Sequence, residues 1–511
     1  MKDVVRFKPI QMISFLRQAL SLLLTACPAC VTSAAPLPFI SKTSESDYHQ
    51  IHSTNHIEAY MVSKYGTWPQ ISTWTTFDIQ TIAGLPNYQT NTSLPLDKYG
   101  GRKDIDCTAT GFFRVSKLAN RWWFIDPEGH PAILPGVCNV GQNILGNDKI
   151  SDDITRRFGG FTNWITKTAT EMSSFAIRSI SSDGKSVSDT DTGEIFTHIP
   201  GRPAYMSTLQ IIPNYGRQHG YWNPRYPKDE AKNPKAWIPE CLPVFNPDWP
   251  DFVNDQVQKK TFITRKDPWL IGWFSDNELP NSPKTLDDTL NAGTNNPAMF
   301  FSYQAALKFL HERKGKNATP SDVTDSDRQA FLELVYDRYY SCLAAAFHKY
   351  DSNHLYLGSR LHKYALKNQG ILKAAGRYCN VVSINFYAEL APSPALVALW
   401  KQAAGDKAFM ISEFYIKGND LKFDNKNGDG WVVHTQADRG RWYENFVLRL
   451  LEEQCFVSWQ WFKWRDDGEI GSNKGIIDYQ FQSYLPFAKV MTDVNHQIYQ
   501  LADYFDDVAH P

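Results

Sequence analysis

The sequence predicts an α/β protein: a (β/α)8 TIM barrel with a small N-terminal β-rich extension. Three observations carry this expectation. From about residue 130 onward, strand-like apolar runs alternate with helix candidates. Runs such as Trp269–Phe274 and Ala408–Ile411 are apolar on both faces, as strands of a buried parallel sheet are. Two of these runs stop at a glutamate, Glu278 and Glu413, and the C-terminal rim of such a sheet is where barrel enzymes keep their chemistry.

The elements follow in order. Residues 1–35 read as an export signal, with a basic start (Lys2, Arg6, Lys8, Arg17) and a short apolar run, Ala19–Ala26. That run is too short to span a bilayer as a helix. Leu24-Thr25-Ala26-Cys27 has lipobox form, so Cys27 is a candidate lipidation site and membrane attachment is expected only there; cleavage near Thr32-Ser33-Ala34 competes. Residues 36–128 form the expected extension, polar and turn-rich at first, then a hairpin built from Gly111–Val115 and Arg121–Ile125. Residues 129–511 form the expected barrel. Its strands are expected at Ala132–Asn139, Ser174–Ser179, Tyr205–Ile212, Trp269–Asn277, His354–Arg360, Val381–Tyr387, Ala408–Phe414 and Phe456–Phe462. Helices are expected near 153–172, 249–264, 296–314, 327–350, 393–404, 436–453 and 484–504, with Thr435 and Asp438 at capping-box spacing. Residues 181–248 are loop-rich and read as a long insertion on the active-site rim.

Composition narrows the function classes. A formal net charge of −1 gives no basic field for a nucleic-acid partner. The aromatic share is 14%, with 16 Trp, enough for a core and for rings that stack on sugars. The eight cysteines are scattered, with no CxxC outside the signal, which argues against zinc; Cys138, Cys379 and Cys455 read as buried small hydrophobes. No phosphate loop and no HExxH motif occurs. Asn425–Gly430 resembles a calcium loop but begins with Asn and has Gln436 at the twelfth position, so it fails the EF-hand pattern.

Glu278 and Glu413 fall on the fourth and seventh expected strands, 135 residues apart. That span holds three βα units of about 45 residues, a typical barrel spacing. Carboxylates on opposite sides of one mouth can flank a glycosidic bond, roughly 5 Å apart for a retaining mechanism. One of the two would be the protonated acid and the other the ionised nucleophile, and their proximity should raise the pKa of one of them. Asn277 is placed to meet a sugar 2-hydroxyl. Tyr387 either orients Glu413 or is a buried rim aromatic. Asn385 and Arg360 also end strand-like runs, and Arg360 serves as a brace, an anion contact or a structural ion pair. Trp459 and Trp461 share a face of the eighth strand, with one expected to floor the sugar site and the other in the core. His434, Trp431 and Trp273 are further candidates for sugar contacts. No metal or organic cofactor is expected, because the two carboxylates supply both proton transfer and nucleophile.

Asn277-Glu278 with Glu413 resembles clan A of the glycoside hydrolases, which implies that Glu278 is the acid/base and Glu413 the nucleophile. More locally, Leu96–Gly100, Arg121–His130, Gly272–Glu278, Leu355–Arg360 and Asn473–Asp478 resemble the agarases of family 50, and these stretches span most of the chain. Glu413–Gly418 departs from that family, where a His-containing run is expected. The resemblance implies a retaining hydrolase acting on an agar, porphyran or carrageenan galactan, its partner being a polysaccharide or oligosaccharide. A β-galactosidase-like exo-enzyme and a non-catalytic surface glycan-binding lipoprotein stay open as alternatives.

Overall fold

The computed structural model describes residues 56–63, 71–90, 94–141, 148–181, 201–219, 241–294, 296–468 and 471–509. The expected signal, including Cys27, and most of the 181–248 insertion lie outside them. Among the described residues no helix is long and apolar enough to cross a membrane.

Among the described residues, fifteen strands form three sheets. In chain order they are β1 (His56–Val62), β2 (Thr75–Asp78), β3 (Arg114–Leu118), β4 (Arg121–Ile125), β5 (Pro131–Ala132), β6 (Leu134–Cys138), β7 (Ser179–Ser181), β8 (Ala204–Thr208), β9 (Leu270–Phe274), β10 (Leu355–Gly358), β11 (Val381–Asn385), β12 (Ala408–Phe414), β13 (Lys417–Gly418), β14 (Gly430–Val433) and β15 (Phe456–Trp461). The eight-stranded sheet runs β10-β9-β8-β7-β6-β15-β12-β11, with every pairing parallel. A parallel bridge between Leu361, just beyond β10, and Ile384 of β11 closes the ring. All eight expected barrel strands are present. The second is displaced: residues 174–178 finish a helix and a turn, and β7 begins only at Ser179. The expected helix 153–172 is two helices, Asp148–Phe158 and Phe161–Ser174, broken where Gly159 and Gly160 take positive φ. The last helix is likewise divided, into Leu485–His496 and Ile498–Ala509.

Two apolar layers hold the barrel. The outer one lies between strands and helices and includes Trp442, Phe446, Trp459, Trp461 and Phe487. The inner one fills the barrel with Leu134, Met206, Ile271, Leu357 and Met410, and Tyr99, Phe113 and Phe124 from the N-terminal segment join it. Above that plug a polar layer crosses the interior. Gln460 Nε2 donates to Ser179 Oγ at 2.7 Å, from β15 to β7 over the intervening β6. The bond passes over Gly136, where a Cβ would lie 2.3 Å from Gln460 Nε2.

The extension is stitched to the barrel loops. β1 pairs antiparallel with β14, giving the sheet β13-β14-β1-β2 just beyond β12. Further on, Glu444 and Asn445 of the helix Gln436–Glu452 accept the Ile82 and Gln80 N–H groups, each at 2.8 Å. Burial pushes the Glu444 carboxyl up to about 7, and its Oε2 has no partner among the described residues. A carboxyl that holds its proton more tightly when folded stabilises the fold below its unfolded pKa, and this contribution is lost as pH rises through 7. Glu444→Gln should therefore flatten the decline in melting temperature between about pH 4.5 and 8. An unchanged Tm–pH profile would exclude Glu444 as the cause.

Candidate active site

The C-terminal rim of β9 is shaped by a fixed turn. Ser275 N–H donates to Gly358 O at 2.8 Å, and Asp276 is buried, accepting from Ile212 N–H at 3.0 Å and the Tyr339 hydroxyl at 2.5 Å. Glu278 then takes φ +52° while its N–H donates to Ser359 O at 3.2 Å. Left-handed backbone is unfavourable for a residue with a Cβ, and such strain persists only where the surroundings enforce it. Arg360, on the neighbouring rim, shares this conformation at φ +52°.

Asn385 connects the two glutamates. It ends β11 beside Glu413 in register. Its Nδ2 donates to Glu278 Oε1 at 2.9 Å and to Asn277 Oδ1 at 3.1 Å, while its Oδ1 accepts from Ser412 Oγ at 2.7 Å. Glu413 is held at both oxygens. Arg360 Nη2 donates to Oε1 at 2.8 Å and the Tyr387 hydroxyl donates to Oε2 at 2.7 Å. Arg360 is wholly buried and also donates to Ser412 O at 2.8 Å. Burial, then the charge of Glu413, keeps the Tyr387 hydroxyl well above its ordinary pKa, so it remains a donor; the charge of Glu278 acts on it too.

The two carboxylates thus share one network with opposite surroundings. Glu413 faces a guanidinium and a phenol, which compensate a negative charge. Glu278 faces a neutral amide, with His362 Nδ1 3.6 Å away, and its side chain is 22% exposed against 6% for Glu413. Asn277 Nδ2 is buried with no partner among the described residues. A buried amide donor of this kind is costly unless something accepts from it.

Glu278, Glu413, Asn277, Asn385, Arg360 and Tyr387 are therefore gathered at one rim. The remaining candidates are not. Trp459 and Trp461 are fully buried on the outer face of β15, where their indoles donate to the Tyr443 hydroxyl (2.9 Å) and to Lys474 O (2.8 Å). Neither floors a sugar site, because the barrel interior at this level is taken by the polar chain of Gln460 and Ser179. Trp273 also faces outward, donating to Asp351 at 2.8 Å. His434 stacks on Trp74 at 3.6 Å and meets Glu58 at 3.0 Å beside the β1–β14 sheet, and Trp431 packs edge-on against Phe77 in that sheet.

Sequence reading missed His362, Tyr415, Phe462 and Lys474. The Tyr415 ring lies 4.8 Å from that of Tyr387, and Lys474 sits over the Tyr415 ring at 4.6 Å and the Phe462 ring at 5.7 Å. Phe462, one residue beyond β15, is the aromatic that this strand brings to the rim, its ring 6.1 Å from that of Tyr415. Its position at a strand end was the available signal, obscured by the neighbouring tryptophans. The calcium-like loop is organised by a lysine: Lys417 Nζ donates to Asn425 O at 2.9 Å and Gly428 O at 3.2 Å. The cysteines Cys107, Cys138, Cys241, Cys342, Cys379 and Cys455 are all free.

A closed parallel barrel with paired glutamates at its C-terminal rim defines the glycoside hydrolase class. No family model matches the chain. The chain is, however, 30% identical to BpGH50, over 92% of this chain and all of that one, with a TM-score of 0.74. It belongs to glycoside hydrolase family 50. It is also 25% identical to Beta-agarase B from Vibrio sp. (strain JT0107), over 79% of this chain, and it spans about half of that protein's length (50%). The fold is shared with an exo-beta-agarase at 17% identity, with a TM-score of 0.64 over 92% of this chain and 72% of that one.

Proposed function

We propose that the protein is a retaining glycoside hydrolase that cleaves β-galactosidic linkages of an agar-type galactan by double displacement. The arrangement around Glu413 carries the mechanistic reading. A carboxylate with both oxygens held by Arg360 and Tyr387 is fixed and charge-compensated, as a nucleophile must be. Glu278, more open to solvent than Glu413, suits a group that gives up and regains a proton. In the first step Glu278 protonates the leaving oxygen as Glu413 attacks the anomeric carbon, and the glycosyl group becomes esterified to Glu413. In the second, Glu278 takes a proton from water, which attacks the same carbon and frees Glu413. Asn277 Nδ2, which has no partner among the described residues, is available to a sugar 2-hydroxyl, a contact that strengthens in the transition state. The galactan is drawn from the similarity to Beta-agarase B.

Product analysis on a panel of red-algal galactans tests the reading. Release of agar oligosaccharides with retained anomeric configuration supports it, and inversion or inactivity on every galactan rejects it. Tyr387→Phe tests the clamp separately. Loss of one hydrogen bond to the charged Glu413 corresponds to about 1.5–3 kcal/mol, or roughly 10- to 150-fold in kcat, with KM less affected. Wild-type kcat in this variant would remove Tyr387 from the mechanism.

A further inference from the structure

At the opposite end of the barrel lies a cavity of about 240 Å³. Its walls come from Leu96–Gly100 of the N-terminal segment, Arg178 just before β7, Gly201–Pro203 just before β8, and His496 at a helix end. Lys98, Arg178, Arg202 and His496 line it, and Asp97 is its single carboxylate. Asp97 is already engaged: Oδ1 accepts the N–H groups of Tyr99 (2.8 Å) and Gly101 (2.9 Å), and Oδ2 pairs with His130 Nδ1 at 2.7 Å.

The cations are not matched in the same way. Arg178 has no carboxylate partner among the described residues; it donates to Gly100 O at 3.3 Å and lies over the Tyr499 ring at 5.6 Å. Arg202 is 7% exposed, donates through Nη2 to Asp267 at 3.1 Å and lies over the Trp269 ring at 4.9 Å. Its Nη1 is buried with no partner among the described residues. Lys98, half exposed, is paired with Glu128 at 2.7 Å. Burial, and then the charge of Arg178, hold His496 below its ordinary pKa against the opposing charge of Asp493.

We infer that this cavity binds a tetrahedral oxyanion, inorganic sulfate or phosphate. Guanidinium forks match such oxygens, and the buried, unsatisfied Arg202 Nη1 supplies a donor that water or the protein would otherwise have to satisfy. The volume equals about eight waters at roughly 30 Å³ each, room for one such ion and part of its hydration. A bound ion would join the N-terminal segment to the feet of β7 and β8. It would act on stability, at the end of the barrel away from Glu278 and Glu413.

Thermal unfolding of the full chain in sodium sulfate, sodium phosphate and sodium chloride at matched ionic strength tests this. Sulfate and phosphate stabilise any protein by exclusion from its surface, without saturation, so saturation is the criterion. The expected result is a saturable rise in Tm of roughly 2–4 °C in sulfate, phosphate or both, absent in chloride. A response to only one oxyanion identifies it. Arg178→Gln should remove the saturable part, and Lys98→Gln, at an exposed position, should weaken the apparent affinity several-fold. A linear response in the wild type overturns the inference, as does a saturable response that both variants retain unchanged. Should Arg178→Gln fail to fold, unchanged affinity in Lys98→Gln overturns it alone.

Discussion

Glu413→Ala is expected to stop turnover. Without the nucleophile no glycosyl-enzyme forms, and kcat on agar oligosaccharides should fall on the order of 10⁴-fold or more. The same change exposes a structural cost. Arg360 is wholly buried and directs Nη2 at Glu413, and removing one partner of a buried ion pair costs about 3–5 kcal/mol. Glu413→Gln keeps the volume and a carbonyl acceptor for Arg360, and should be equally inactive yet melt above the alanine variant. Product yield equal to wild type in either folded variant would end the assignment of Glu413. Equal melting temperatures for Ala and Gln would show that an acceptor for Arg360 does not hold the rim together, and a wild-type melting temperature in both would show the same of the ion pair.

Glu278→Ala should behave differently because its role is proton transfer. Loss of a general acid typically costs 10²–10⁴-fold, so kcat/KM on galactan should fall within about that range. The loss should shrink for an aryl glycoside whose leaving group needs no proton. Azide, which needs no base to activate it, should then restore turnover and yield a glycosyl azide of retained configuration. In Glu413→Ala azide can act only by attacking the anomeric carbon directly in place of the missing carboxylate, so any glycosyl azide formed should have inverted configuration. A retained azide product from the Glu413 variant together with an inverted one from the Glu278 variant would exchange the two roles. The contrast arises from surroundings: Glu413 sits under a guanidinium and a phenol, and Glu278 beside an amide and the open rim.

The barrel was legible because its strands carry a local signal. Apolar runs of five to nine residues separated by helices admit few arrangements other than a parallel sheet covered on both faces. Glu278 and Glu413 were legible for the same reason, each being polar at the point where such a run stops. Asn385 and Tyr387 were visible as neighbours of a strand end, although their bonds to the two glutamates were not. The tryptophans of β15 mark the limit. Alternation placed Trp459 and Trp461 together, but period-two patterning does not say which face points inward. Ser458 and Gln460 took the interior because Gln460 meets Ser179 across a strand that carries only glycine at that level. Their small polar groups fit there and two indoles do not.

The linear order of residues by itself determined the closed parallel architecture and the pair of acidic groups at its rim. Both follow from short-range patterning, which hydrophobic burial turns into strands and strand ends. Only the tertiary structure decided which donors hold each carboxylate, that Arg360 and Tyr387 clamp Glu413 while Asn385 reaches Glu278, and that Arg178 and the incompletely satisfied Arg202 gather at the other end. Those contacts join segments tens to hundreds of residues apart. They depend on ring closure and on the outward or inward sense of each strand, which no local pattern encodes.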